Sequence, residues 1–198
     1  MSATVQDEIA ATAARWVVED GLEYGAAKRR AVKDLGLPSR TPLPANESVE
    51  EAVREYISIF CADTQPQELA ALRDVARTWM QRLAEFRPHL GGAVWRGTAT
   101  RHNDIYLQLF CDDPKSAEIR LIDQRVRYDV STVTGFNGES VDALSVLVPC
   151  PALGQNVVVH LMIHDHDDVR GALKPDAQGR TWRGNLAALE RLMTEDGA

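Results

Sequence analysis

The chain of 198 residues has only three cysteines, Cys61, Cys111 and Cys150, and no two of them form a CxxC pair. An odd number of widely spaced cysteines favours a reduced setting over a disulfide framework. No apolar run approaches the length that spans a membrane, and the N-terminus lacks a basic region followed by an apolar run. We therefore expect a cytoplasmic protein that is neither exported nor inserted in a membrane.

Motifs of several large enzyme classes are also missing. The sequence has no nucleophile elbow, no HExxH motif and no dinucleotide-binding glycine fingerprint. Its net charge of −7 argues against non-specific binding of nucleic acid by the whole surface, and leaves room for a local basic patch. A composition of 44% apolar and 26% charged residues describes one ordinary globular domain with a proper core, so we predict a single domain over residues 1–198.

One segment lacks acidic residues, although the chain carries 29 of them: the stretch between Phe86 and Asn103. Glycines let a backbone approach a ligand closely, and arginines favour an anion such as phosphate. The residues that create this pattern are Arg87, Arg96 and Arg101, together with Gly91, Gly92 and Gly97. A predicted strand, Asp104 to Phe110, follows directly, so its first carboxylate is placed to hold a metal ion against a phosphate chain.

This arrangement resembles the nucleotidyltransferase fold of the polymerase-β type, including the head domain of CCA-adding enzymes. Residues 91–96, GGAVWR, are similar to the GGAVRD opening of the CCA-adding branch, and residues 103–107, NDIYL, lie where that family has SDIDL. Asp104 follows Gly92 by 12 positions, which is within the usual range of the family. The resemblance covers residues 91–133. It departs from the family at Tyr106, where a neutral phenol replaces the second carboxylate.

The resemblance implies a function and a set of site residues. Asp104 and Asp129, expected on neighbouring strands, would be the catalytic acids that hold Mg²⁺, with Glu118 as a lesser candidate for the third carboxylate. The alternative for both Asp129 and Glu118 is an exposed strand residue without a catalytic role. The phosphates of a nucleotide would be cradled by Gly91, Gly92, Arg96, Gly97, Thr98 and Arg101.

Over nearly its whole length the chain also resembles bacterial proteins of similar size, some of which are labelled UDP-N-acetylmuramate–alanine ligase. Ligases of that type are far longer and need a phosphate loop ending in Gly-Lys-Ser or Gly-Lys-Thr. Neither tripeptide occurs here. We therefore set the label aside.

Helical patterns dominate the first 88 residues. They predict helices over residues 3–20 and Tyr24 to Leu35, a third helix capped by Ser48 and Glu51, and a fourth opening at Thr64 to Gln67. The third helix is expected to bury an apolar stripe that ends at Phe60. We interpret the basic run Lys28 to Lys33 as a solvated helix face, with contact to a nucleic acid or a protein partner as the alternative.

Strand patterns dominate from about Ile105 to Ile163. Strands are predicted for Glu118 to Ile122, Val126 to Val130, Leu144 to Val148 and Val157 to Ile163, with a loop over residues 132–142. Asn185 is expected to cap a last helix that runs to about Met193. Helices followed by strands indicate an α+β fold, with a helical part (1–88) packed on a mixed, nucleotidyltransferase-like sheet part (89–198).

Histidines and acids crowd the end of the last predicted strand. In an extended chain His160 and His164 share one face, and with His166 they could bind zinc or another transition metal. The alternative, which we prefer, is that Asp165 to Asp168 cap a helix starting near Val169.

Three hypotheses follow: an active Mg²⁺-dependent nucleotidyltransferase; a protein of that fold that binds a nucleotide or another phosphate ligand with weak or absent transfer; and a metal-binding or scaffold protein. We favour the second, because a two-metal mechanism needs several converging carboxylates and the motif strand supplies only one.

Overall fold

The computed structural model of the protein describes residues 4–176 and 179–197. Within these ranges the chain forms eight α-helices and one six-stranded mixed sheet, which confirms the α+β class. The helices are α1 (Val5–Asp20), α2 (Tyr24–Asp34), α3 (Asn46–Phe60), α4 (Gln65–Arg82), α5 (Gly92–Arg96), α6 (Ser116–Asp123), α7 (Val169–Ala172) and α8 (Leu186–Asp196). The strands are β1 (His89–Gly91), β2 (Ile105–Cys111), β3 (Asp129–Thr134), β4 (Ser140–Cys150), β5 (Gln155–Asp165) and β6 (Gly184–Asn185). No helix in the described part is long and apolar enough to cross a bilayer.

The chain divides into two compact units. The first runs to Glu68 and includes Thr98–Asn103; the second comprises Leu69–Gly97 and the chain from Asp104 onward. This division differs from the predicted parts 1–88 and 89–198, because most of α4 belongs to the same unit as the sheet.

In the first unit, α1 packs against α2 and α3 through small and β-branched side chains. Thr4 and Asp7 form a capping box at the start of α1, and Gly21 ends the helix with φ of 67°. The core contains Ile9, Ala10, Ala13, Ala14, Val17, Val18, Ala27, Ala31, Val32, Val49 and Val53. The segment 98–103 is tied to α1 by the Thr100 hydroxyl, which donates to the Val18 carbonyl over 3.2 Å.

Two expectations about α3 are wrong. The helix begins at Asn46 after Ala45, without a side-chain cap, so Ser48 lies inside the first turn and cannot cap it. Phe60, predicted to belong to the buried stripe, is 68% exposed, because it is the last residue of the helix. Its ring packs on Tyr56 with the centroids 4.6 Å apart.

The strand order of the sheet is β3-β4-β5-β2-β1-β6. Among the neighbouring strands of the described part of the chain, only β2 and β5 run parallel; the others are antiparallel. The two central strands, β2 and β5, are therefore far apart in sequence. On its other side β5 pairs with β4, the long strand that precedes it in the chain.

Side chains of β2 and β5 alternate between two faces. One face is apolar and buried, and consists of Ile105, Leu107, Leu109, Val159, Leu161 and Ile163. The opposite face, which we call the polar face, carries Tyr106, Gln108, Phe110, His160, Met162 and His164. Residues paired directly across neighbouring strands project to the same side, so the polar face continues onto β1 and β4.

The prediction of a strand over Glu118 to Ile122 is wrong, because these residues lie in α6. Ala117 and Leu121 are fully buried at a spacing of four, which is the helical period, whereas Ile119 and Ile122 are more than half exposed. The exposed isoleucines created the false impression of a strand. Glu118 accepts hydrogen bonds from Tyr128 and Lys115, and these lower its pKa.

The hairpin after α6 is displaced from its predicted limits. β3 starts at Asp129 and runs to Thr134, and β4 already starts at Ser140, so only residues 135–139 form the loop predicted for 132–142. The capping prediction for Asn185 is confirmed, because it accepts from the Ala188 amide at the start of α8. The prediction for the helix near Val169 is wrong: α7 follows Asp168 without a side-chain cap, and Asp165 instead accepts from the Asp167 amide at the 3-10 turn His166–Asp168.

Candidate functional site

A row of directly paired residues crosses five strands on the polar face. Gly91 pairs with Tyr106, Tyr106 with His160, His160 with Ser145, and Ser145 with Asp129. Because adjacent strands lie about 4.8 Å apart, the three intervals from Asp129 to Tyr106 span about 14 Å. The row thus brings together the glycine motif, a histidine and a serine, with Asp129 at its far end.

His160 is hydrogen-bonded through both ring nitrogens. Its Nε2 lies 2.8 Å from Oδ2 of Asp104, and its Nδ1 lies 2.8 Å from Oγ of Ser145. A carboxylate only accepts, so Nε2 carries the proton and donates to Asp104; in the neutral ring, Nδ1 then accepts from the Ser145 hydroxyl. The side chains of His160 and Asp104 are 22% and 41% exposed, so the pair is open to solvent at one end.

Tyr106, at the position of the second carboxylate in the nucleotidyltransferase resemblance, packs rather than ligates. Its ring stacks on His160 with centroids 4.8 Å apart and an interplanar angle of 25°. It also lies close to Gly92, where an added Cβ would be 3.5 Å from the ring and whose φ of 68° excludes most side chains. The phenol therefore orients the imidazole.

The expectation that Asp129 lies on a strand next to that of Asp104 is wrong. β4 and β5 stand between β3 and β2, and Asp129 is exposed at the edge of the sheet. The strands of the two residues are three spacings, about 14 Å, apart, so their short side chains do not bring both carboxylates to the distance of about 2.1 Å at which Mg²⁺ binds oxygen. The residues present do not fit the two-acid Mg²⁺ site that the resemblance implies.

The three histidines considered for a transition metal are used separately. His160 contacts Asp104 and Ser145, His164 contacts Gln108, and His166 faces Asp167 at 3.7 Å. Over the described ranges, no group of three or more histidine, cysteine, aspartate or glutamate side chains is arranged to hold a metal ion.

A half-buried guanidinium lies beside the glycine motif. The Arg183 side chain covers Gly91, where an added Cβ would lie 3.3 Å from its Cγ, and its Cζ stands 4.6 Å from the centre of the Phe136 ring. Its Nη1 donates to the Ala172 carbonyl at 3.4 Å. No carboxylate pairs with Arg183 among residues 4–176 and 179–197.

Two effects lower the pKa of Arg183: first burial, and then the positive charge of Arg96. Arg96, the last residue of α5, has its Cζ 5.6 Å from the centre of the Trp182 ring. The guanidinium groups of Arg183 and Arg96 are therefore close enough to repel each other, and Arg183 lies against Gly91. A bound anion would relieve both the repulsion between them and the loss of hydration.

Close packing holds the segment that carries Arg183. Trp95 donates from Nε1 to the Thr181 carbonyl at 2.9 Å, and its indole packs against Gly184, where a Cβ would come within 2.1 Å of the ring. Arg73 stabilises α5. Its side chain is buried, with 3% exposed, and it donates to the carbonyls of Val94 and Trp95 at 3.0 and 3.2 Å. Arg73 also forms an ion pair with Asp196.

Beyond the row, the polar face buries three polar side chains: His89, Gln108 and His164. His89 donates from Nδ1 to the Arg87 carbonyl at 2.7 Å, and His164 is bonded through Nε2 to Gln108. Burial lowers the pKa of His164 to about 4; nearby Asp168 opposes this shift and Arg183 adds to it. His164 Nδ1 is buried without a hydrogen-bond partner in the described part of the chain.

No family model, curated protein or solved structure matches this chain. Four residues of the predicted phosphate set, Gly91, Gly92, Arg96 and Gly97, lie in the second unit around α5.

The remaining two residues of that set, Thr98 and Arg101, belong to the first unit. Thr98 is buried there and its hydroxyl lacks a hydrogen-bond partner among the described residues. The backbone amide of Arg101 donates to Glu68 at 2.9 Å. Neither residue is used in the site described here.

Sequence reasoning missed two residues of the site. Arg183 lies in a polar, basic segment without a recognisable motif, and only the pairing of Gly184 with Leu90 brings it to the glycine motif. Ser145 was assigned to an apolar strand, since nothing nearby in sequence marks it. Its signal is the antiparallel register that sets it opposite His160.

Proposed function

We propose that this protein binds a phosphate-bearing small molecule of the nucleotide class at Gly91, Gly92, Arg96 and Arg183, and that nucleotidyl transfer is weak or absent. The observation that carries the proposal is the half-buried Arg183 guanidinium, which lies against Gly91 without a carboxylate partner in the described ranges and beside a second cation. Burying a cation is unfavourable unless an anion or several hydrogen-bond acceptors compensate it. A phosphate supplies both.

The glycines support the same ligand. Gly91 presents no side chain toward Arg183, and Gly92 adopts a left-handed backbone conformation that lets α5 turn away from β1. The Gly91 backbone thus lies next to Arg183, and phosphate oxygens bound there would be shared between Arg183 and its neighbour Arg96.

The donor set supports binding more than transfer. Transfer by the polymerase-β route needs at least two carboxylates around Mg²⁺. Here Asp104 is hydrogen-bonded to His160, Tyr106 replaces the second acid, and Asp129 lies three strands away across the sheet.

Calorimetry with pyrophosphate, ATP, CTP, GTP and UTP, with and without Mg²⁺, tests the binding. We expect Arg183→Gln and Arg96→Gln to weaken binding by about tenfold or more each, because a charge-assisted hydrogen bond contributes about 1.5–3 kcal/mol. Arg180→Gln is the matched control, since Arg180 lies in the same segment and pairs with Asp176 at 3.0 Å. Absence of binding to every phosphate compound, or equal affinity in all variants, would contradict the proposal.

Incubation with radiolabelled triphosphates and a cell extract tests the transfer. We expect at most trace labelling of any acceptor. Strong labelling that disappears in Asp104→Ala would show that the protein is an active transferase.

A further inference from the structure

We infer that Ser145, His160 and Asp104 form a second, independent site: a nucleophilic serine with its general base, which reacts with activated esters. Ser145 is the nucleophile, His160 is the base that takes its proton, and Asp104 is a positioning residue that holds the imidazole. The site uses none of Gly91, Gly92, Arg96 and Arg183, so its failure and the failure of phosphate binding are separate results.

The geometry is that of a hydrogen-bonded Ser-His-Asp chain. Both contacts of the imidazole are 2.8 Å long, and together they fix one tautomer, with the proton on Nε2 and the lone pair of Nδ1 directed at the Ser145 oxygen. The order of the ring nitrogens is the reverse of that in the serine proteases used as the reference for such triads. The proton transfer is equivalent, because either nitrogen of an imidazole can act as the base.

The three residues come from rigid and separate elements. Asp104 directly precedes β2, His160 lies in β5, and Ser145 lies in β4, so three adjacent strands set the distances. Tyr106 stacks on the ring and restricts its rotation. Groups held on strands keep catalytic distances better than groups on loops.

Burial of polar groups does not explain why Ser145, His160 and Asp104 are hydrogen-bonded to one another. Asp104 and His160 are 41% and 22% exposed, and pairs exposed to this degree contribute little to stability. Gln108 and His164 on the same face show the contrasting case, because both are almost fully buried and must satisfy each other. A solvent-open base that accepts from a hydroxyl is arranged for proton transfer.

The reaction balances with water as the only co-reactant. The Ser145 Oγ forms a bond to the ester carbonyl carbon while its proton moves to Nδ1 of His160; the ester C–O bond then breaks, and the leaving alcohol receives that proton. Water, deprotonated by the same nitrogen, attacks the acyl-serine and releases the carboxylic acid, with the proton returned to Ser145.

Labelling with a fluorophosphonate probe and turnover of p-nitrophenyl acetate by the full-length protein test the inference. We expect one probe per chain, mapped to Ser145 by peptide mass spectrometry, and no label in Ser145→Ala. His160→Gln should slow labelling about a hundredfold or more, the usual contribution of a positioned base. Ser131→Ala is the matched control, because Ser131 is an exposed serine on β3 whose side chain projects to the same face of the sheet.

The positioning role of Asp104 must be measured separately from any contribution of this residue to stability. At melting temperatures equal to that of the wild type, Asp104→Asn should slow labelling of Ser145, and Asp104→Glu should restore part of the rate. The peptide map of the unmodified protein remains decisive if a variant fails to fold. Absence of label, a label on another residue, or an unchanged rate in His160→Gln would overturn the inference.

Discussion

The two faces of the central strands β2 and β5 differ in what their side chains do. Leu107, Leu109 and Leu161 on the apolar face are fully buried and make only packing contacts. On the polar face, His160 is hydrogen-bonded to Ser145 and Asp104, and His164 is hydrogen-bonded to Gln108, each across neighbouring strands of the sheet. The same two strands therefore stabilise the fold on one side and present reactive groups on the other, and substitutions on the two faces should have different consequences.

The largest expected effect separates two neighbouring residues of β5. Leu161→Ala should lower the free energy of unfolding by about 3 kcal/mol, because it removes a fully buried side chain and leaves a cavity. Met162→Ala, on the partly exposed polar face, should cost about 1 kcal/mol or less. Urea unfolding of both variants measures the difference. Equal losses would mean that the two faces are equally important to stability.

The next largest effect concerns α5, which borders the polar face. Arg73→Met should lower the free energy of unfolding by about 2–3 kcal/mol, because the carbonyls of Val94 and Trp95 lose a buried donor. Arg77→Met, which breaks an exposed pair with Asp74, should change it by less than about 0.5 kcal/mol. Thermal and urea unfolding of the two variants would decide; similar values would show that Arg73 is not required to hold α5.

The pH dependence of stability should be set partly by His164. Its folded pKa of about 4 lies below its ordinary value of 6.5, so the unfolded chain binds more protons between these values. The contribution of the neutral His164 to the free energy of unfolding is on the order of 3 kcal/mol. It is fully present above pH 6.5 and is lost as the pH falls toward 4. The burial of His89 acts in the same direction.

Urea unfolding between pH 4 and 7 compares the wild type with His164→Gln, which keeps a polar partner for Gln108. We expect a shallower loss of stability in the variant. His102→Gln, at an exposed histidine, is the control and should follow the wild type. A variant at position 164 with an unchanged pH profile would refute the assignment.

The smallest expected effect is at Asp129. Asp129→Asn should change the free energy of unfolding by less than about 0.5 kcal/mol and leave phosphate affinity unaltered, because the side chain is exposed and lies three strands from Tyr106. Calorimetry with pyrophosphate and urea unfolding of the same preparation measure both. Weaker pyrophosphate binding in Asp129→Asn, at unchanged stability, would show that Asp129 belongs to the phosphate-binding site.

Local patterns predicted the elements of the sheet better than their arrangement. The alternation in β2 and β5 and the cap at Asn185 follow from neighbouring residues, and the structure agrees with them. The pattern failed at α6, where exposed Ile119 and Ile122 imitate a strand. Short-range periodicity does not register which side chains a distant element will cover.

The site was predictable only in part for the same reason. Gly91, Gly92 and Asp104 stand out within one segment, whereas His160, Ser145 and Arg183 join them through pairings between distant strands. His160 was noticed for its histidine neighbours and not for Asp104, which lies 56 positions earlier. Without the order β4-β5-β2-β1, neither the serine nor the second arginine could be assigned.

The central claim is that the polar face binds an anion beside Gly91. A crystal structure of the protein soaked with pyrophosphate tests it most directly. We expect phosphate density in contact with the guanidinium groups of Arg183 and Arg96, and its loss in crystals of Arg183→Gln but not of Arg180→Gln. Phosphate bound elsewhere, or a carboxylate of the protein itself paired with Arg183, would contradict the claim.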